Sequence, residues 1–231
     1  TSTTPARTPI LTRLVALSAL LLTCAQSNAA LVQAAGQFSW GTLEVSLLGS
    51  PTLDYVISDA FGTAHADSTG LPPQNRTVGD WTTFSGAASG GASSTLNNAV
   101  IFVIAKALTD TGARPLTTDA ARGSRDADFT ITGSGSGTIV ISMVADLEIE
   151  IADAKAGDFG LSAAGAATMR LSKYLPGSDQ FASGDNTYAL SLFQAGFSAN
   201  QNAHERAVVA LGVQAGDVLH FSATVSAEIT A

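Results

Sequence analysis

The chain has 231 residues, 45% apolar and 13% charged, enough to bury a core of ordinary size without metals or disulfides. Its formal charge is −8, and the first 29 residues hold Arg7 and Arg13 but no acid, so their removal leaves 9 bases against 19 acids. An acidic body repels phosphate backbones and anionic head groups, which argues against nucleic-acid and membrane-surface binding.

Residues 1–29 have the three-part layout of a secretory leader. Arg7 and Arg13 supply the positive start, Leu14 to Leu22 the apolar middle, and Ser27-Asn28-Ala29 the small-x-small site before a cut. The apolar stretch from Leu14 to Cys24 is 11 residues, short of the roughly 20 that a bilayer-spanning helix needs. Cleavage is expected after Ala29. The alternative is lipidation at Cys24, since Leu21-Leu22-Thr23-Cys24 resembles the bacterial lipoprotein box, although Thr23 stands where that box carries Gly, Ala or Ser. Cys24 is the only cysteine, so cleavage at Ala29 leaves an exported domain, residues 30–231, that rests on its packed core alone and has no transmembrane segment.

Twenty-two glycines, with abundant Ala, Ser and Thr, suit short strands joined by small-residue turns better than long surface helices. In chain order, strands are expected at 38–48 and 55–61, and the Gly/Ala/Ser-rich stretch 85–94 is expected to be a loop. Ala99 to Ala105 is apolar on both faces and predicts a central strand over 98–108. The stretch 108–128 is expected to be a long connection. It carries Arg114, Arg122 and Arg125 with Asp119, Asp126 and Asp128 interleaved, a pattern that reads as a solvated loop rather than an anion site. After a strand at 129–132, the Gly133-Ser-Gly-Ser-Gly137 run is expected to be a hairpin turn.

The clearest period of two runs from Thr138 to Ile151, with Ile139, Ile141, Met143, Ala145, Leu147, Ile149 and Ile151 on one side. At about 3.3 Å per residue it spans on the order of 46 Å, so a bend, a bulge or a change of sheet is expected partway. Further strands are expected at 167–174, 188–193 and 206–211. The last of these has a helical alternative, in which Asn202 to Glu205 caps a short helix ending at Gly212. Gln214-Ala-Gly-Asp217 is turn chemistry, with Gly216 free to take positive φ. The final segment alternates Leu219, Phe221, Ala223, Val225, Ala227 and Ile229 against His220, Ser222, Thr224, Ser226 and Glu228, as a half-buried antiparallel strand does. Eight or nine strands without intervening helices predict an all-β, two-sheet antiparallel sandwich of jelly-roll or immunoglobulin-like type.

The chemistry that spacing reveals is mostly missing. His65, His204 and His220 are too far apart for a helical zinc motif and are expected at the surface. Gly133 to Gly137 puts glycine where a hydrolase elbow needs its serine. The dinucleotide and phosphate-loop signatures do not occur, and no cofactor is expected. Asp146, Glu148 and Glu150 project from one face of one strand, about 7 Å apart by strand geometry, and are candidates either for ligand contact or for a plain wet face. Asp179, Asp185 and Asn186 supply oxygens in a turn and are weak calcium candidates. Trp81 and Tyr174 are the candidate aromatic platforms for a sugar ring, whereas Trp40 is expected in the core.

The leader, the small-residue strands and the closing Val213-Gln-Ala-Gly-Asp-Val-Leu-His-Phe-Ser222 are similar to exported bacterial β-sandwich proteins whose precursors end in a Pro-Glu-Pro sorting tail. The resemblance implies an envelope or extracellular role and carries no functional residues with it. The function expected is that of a noncatalytic exported sandwich whose partners are glycan or other envelope or matrix proteins. The alternatives are a carbohydrate-binding module or carbohydrate-active enzyme, and a filament or matrix subunit.

Overall fold

The computed structural model describes residues 29–68, 74–78, 83–85, 91–96, 100–110, 118–154, 160–178, 180–182 and 184–231. The described residues form twelve strands in two antiparallel six-stranded sheets packed face to face. One sheet, A, runs β11 (Ala199–Gln214), β8 (Ser136–Ala152), β1 (Ala29–Gly49), β6 (Val100–Asp110), β5 (Gly91–Leu96) and β4 (Thr83–Ser85). The other, B, runs β10 (Asn186–Ala195), β9 (Ser162–Lys173), β12 (Val218–Thr230), β7 (Thr118–Thr132), β2 (Asp54–Ser68) and β3 (Gln74–Val78). This is the all-β sandwich that the alternating segments predict.

Alternation places the core. The odd-numbered side chains of β8 from Ile139 to Ile151, with Ala34 and Phe38 of β1 and Ile101 and Val103 of β6, point inward from sheet A. Phe129, Ile131, Met169, Leu171, Phe221 and Val225 meet them from sheet B. Phe129 and Phe221 cross edge to face, with ring centroids 6.4 Å apart. Trp40, expected in the core, is half-buried and packs against this cluster from β1, its ring centre 6.0 Å from that of Phe221. Strand β6 is interior to its sheet, between β1 and β5, but is not covered on both faces as expected, since Ile104 on its outer face is only half-buried; β11 is a strand rather than the helical alternative.

Four expectations are corrected. Strand β8 runs unbroken for 17 residues, and the irregularity expected in it lies on its neighbour, where β1 slips register between Ser39 and Glu44. There Thr42 satisfies the freed backbone: its hydroxyl donates to the Ser39 carbonyl at 2.6 Å and accepts from the Val144 amide at 2.9 Å. Gly133 to Gly137 is not a hairpin turn, because β7 lies in sheet B and β8 in sheet A, so the run carries the chain from one layer to the other. The loop expected over 85–94 is strand from Gly91 onward. The connection expected over 108–128 is strand from Thr118 onward, the largest departure. Its inward positions are Asp119, Ala121, Gly123, Arg125 and Ala127. None of them is large and apolar, so the period of two leaves no hydrophobic trace.

Strands β10 and β11 lie at the same side of the sandwich and tie its layers together. Tyr188 donates to Glu205 at 3.0 Å, and Gln201 donates to Gln194 at 2.8 Å. Gly216 takes φ 93° in the turn that leads into β12, as its place between Gln214 and Asp217 predicts.

Candidate functional site

A period of two puts residues an odd number apart on opposite faces of a strand, which separates the arginines of β7. Arg125 points into the core, its guanidinium 3.7 Å from the Trp40 ring centre, and burial pushes its pKa down to about 10. Arg122 points the other way, onto the outer face of sheet B, and is exposed. The reading of these residues as a solvated loop is therefore replaced by two positions on opposite faces of one strand; Arg114 lies outside the described residues.

Three neighbouring strands build the outer face of sheet B around Arg122. On β12 the row is His220, Ser222, Thr224 and Ser226. Across from it on β9 stand Ser172, Arg170, Thr168 and Ala166, and on β7 Asp128, Asp126, Ser124 and Arg122. Part of this face forms a shallow groove of about 310 Å³, floored by Thr168, Ser222 and Thr224 with their hydroxyls and bordered by Arg122, Arg170 and His220. The size is at the lower end of small-molecule sites.

The far wall is aromatic and comes from the β9–β10 connection. The chain doubles back there through backbone hydrogen bonds from Leu175 to Gln180 and from Ala182 to Lys173, each 2.7 Å. This sets Phe181 beside Tyr174, with ring centroids 4.9 Å apart and planes 25° from parallel. Phe181 stays 42% exposed and also lines the groove, so one of its faces rests on Tyr174 while the side chain borders open space. Tyr174, the predicted platform, thus stands behind Phe181 and meets the edge of His220 at 6.1 Å.

The bases of the groove are held by acids around its edge. Arg170 is ion-paired to Asp185, and its guanidinium lies 5.8 Å from the Phe181 ring centre. His220 is half-buried: Nδ1 donates to Asp128 at 2.8 Å, and Nε2 is 3.5 Å from Asp126. Asp126 and then Asp128 raise the imidazole pKa above its ordinary value, against the opposing effect of burial. His220 is therefore a clamped group in a charged network and not the plain surface residue expected.

The predicted acidic row lies elsewhere. Asp146, Glu148 and Glu150 point outward from sheet A, on the opposite side of the sandwich from Tyr174. Asp146 accepts from Gln37 at 2.8 Å and from His204. Burial, and then the charge of Glu150, push the Glu148 pKa up. Glu150 is in register with Gln33 and Asn200, and Glu148 with Asn202, so amides border the acids. Of the calcium candidates, Asp185 is engaged by Arg170 and Asn186 pairs with Leu171 in the β10–β9 ladder. Asp179 and Trp81 lie outside the described residues, and among the described residues no group of three or more metal-ligating side chains forms.

Sequence reasoning missed Arg170, Phe181, His220 and the hydroxyl floor as one site. The outward period of β12 shows in the sequence, but which strands flank it does not. Comparison of the chain with protein-family models, with curated proteins and with solved structures finds no match.

Proposed function

We propose that the protein is an exported, noncatalytic β-sandwich that binds glycan through the groove on the outer face of sheet B. The observation that carries this is the meeting of an exposed aromatic ring, Phe181, with a hydroxyl floor and two guanidinium groups in a single concavity. Aromatic faces pack against the apolar side of a pyranose, while hydroxyls and guanidinium groups match its ring oxygens and hydroxyls. Export rests on the leader in residues 1–29.

The charge of the lining favours binding over hydrolysis. A glycosidase places two carboxyl groups about 5 to 9.5 Å apart across the scissile bond. Among the described residues that line the groove the charged side chains are arginines and a histidine. The acids Asp126, Asp128 and Asp185 grip those bases instead.

A glycan array probed with the purified chain, followed by titration of the best oligosaccharide, tests the proposal. Phe181→Ala is expected to weaken binding about tenfold or more, which corresponds to about 1.4 kcal/mol, with the circular dichroism of the fold unchanged. Absence of any glycan binding, or affinity indifferent to Phe181→Ala, overturns it.

A further inference from the structure

We infer that the groove selects acidic saccharides, those carrying a carboxylate or a sulfate ester, with Arg122 and Arg170 as the residues that read the negative charge. This deepens the glycan-binding proposal and rests on it.

Strand β12 lies between β9 and β7, so Arg170 and Arg122 rise on either side of the Ser222 and Thr224 hydroxyls. Neighbouring strands are about 4.8 Å apart, which places the two arginine backbones about 10 Å apart across the strands. The register also offsets them along the sheet: Arg170 is level with Ser222 and Arg122 with Ser226. A ring seated over Thr224 therefore has a planar, bidentate donor on each side, the geometry that carboxylate and sulfate groups accept best.

Charge distribution points the same way. The chain carries −8 overall, yet the groove gathers two arginines and a histidine. The nearby acids are themselves paired with bases. Asp126 and Asp128 contact His220 from β7, and Asp185 holds Arg170 from the segment before β10. None of the three acids is among the residues that line the groove. Guanidinium groups can donate to neutral sugar hydroxyls, but their hydrogen bonds to a carboxylate or sulfate are charge-assisted and roughly twice as strong as neutral ones.

The test titrates the full chain with tetragalacturonate, with a sulfated galactan tetrasaccharide, with neutral maltotetraose, and with sodium sulfate alone. At least one acidic tetrasaccharide is expected to bind ten times or more tighter than maltotetraose, and to weaken as salt rises. Arg122→Gln and Arg170→Gln are each expected to reduce that binding five- to tenfold while the near-ultraviolet circular dichroism is preserved. Arg170→Gln also releases Asp185, so its circular dichroism is compared with that of Asp185→Asn. Which tetrasaccharide responds separates carboxylate from sulfate as the group recognised. Equal binding of neutral and acidic sugars, both lost on Phe181→Ala, overturns the charge selectivity and leaves the glycan groove standing. Sodium sulfate binding as tightly as the acidic tetrasaccharides overturns selection of a saccharide. No binding by any sugar overturns both the inference and the proposal beneath it.

Discussion

His220 shows how far a residue's chemistry depends on its neighbours across a sheet. Facing Asp126 and Asp128, its imidazole keeps a proton to higher pH in the folded chain than in the unfolded one, whose value is near 6.5. Below about pH 6.5 both states are charged and the contacts with the two aspartates stabilise the fold in full; the contribution is lost as pH rises through the native pKa. The urea midpoint of the wild type is therefore expected to exceed that of His220→Gln clearly at pH 5.5 and to approach it by pH 9. A gap that widens with pH, or an imidazole that titrates in NMR at or below its ordinary value, contradicts the assignment. Arg125 is the opposite case: turned inward against Trp40, it loses water rather than gaining a surface role, and remains charged at neutral pH with its pKa near 10.

At the scale of elements, β1 and β8 absorb a length mismatch. Strand β1 holds four residues, Trp40 to Leu43, where β8 has Met143 alone. The excess leaves backbone groups out of the ladder, and Thr42 takes up two of them with one hydroxyl. Thr42→Val keeps the shape and removes both hydrogen bonds, so it is expected to cost about 1 to 3 kcal/mol in chemical denaturation. Thr42→Ser keeps the hydroxyl and is expected to recover most of that; equal loss in both variants shows that the bulge does not depend on the hydroxyl. The β9–β10 connection uses the same economy of backbone bonding, since two hydrogen bonds and the Tyr174–Phe181 stack hold the aromatic wall of the groove.

For the whole molecule, the distance between layers is set where small residues meet large ones. A Cβ on Gly36 would lie 2.6 Å from Val225 of the facing sheet and 2.8 Å from Leu147. Glycine there lets the sheets close. Gly36→Val is expected to cost about 1 to 3 kcal/mol by overpacking. Combined with Leu147→Ala, which opens space beside it, the loss is expected to fall short of the sum of the two single losses by about 0.5 to 3 kcal/mol. Strict additivity in urea unfolding contradicts contact at this point. On this scale the sequence by itself determined the class of fold and the faces of β8 and β12, because each follows from side chains that alternate along one strand. It left β7 unseen over 118–128, since an inward row of Asp, Ala, Gly and Arg carries no hydrophobic period. It also could not assemble the groove. Arg122, Arg170, Phe181 and His220 come from four separate segments, and only the order of strands in the sheet brought them to one face and left Asp146, Glu148 and Glu150 on the other side. Pairing between strands is decided by long-range packing and register, which local alternation does not encode.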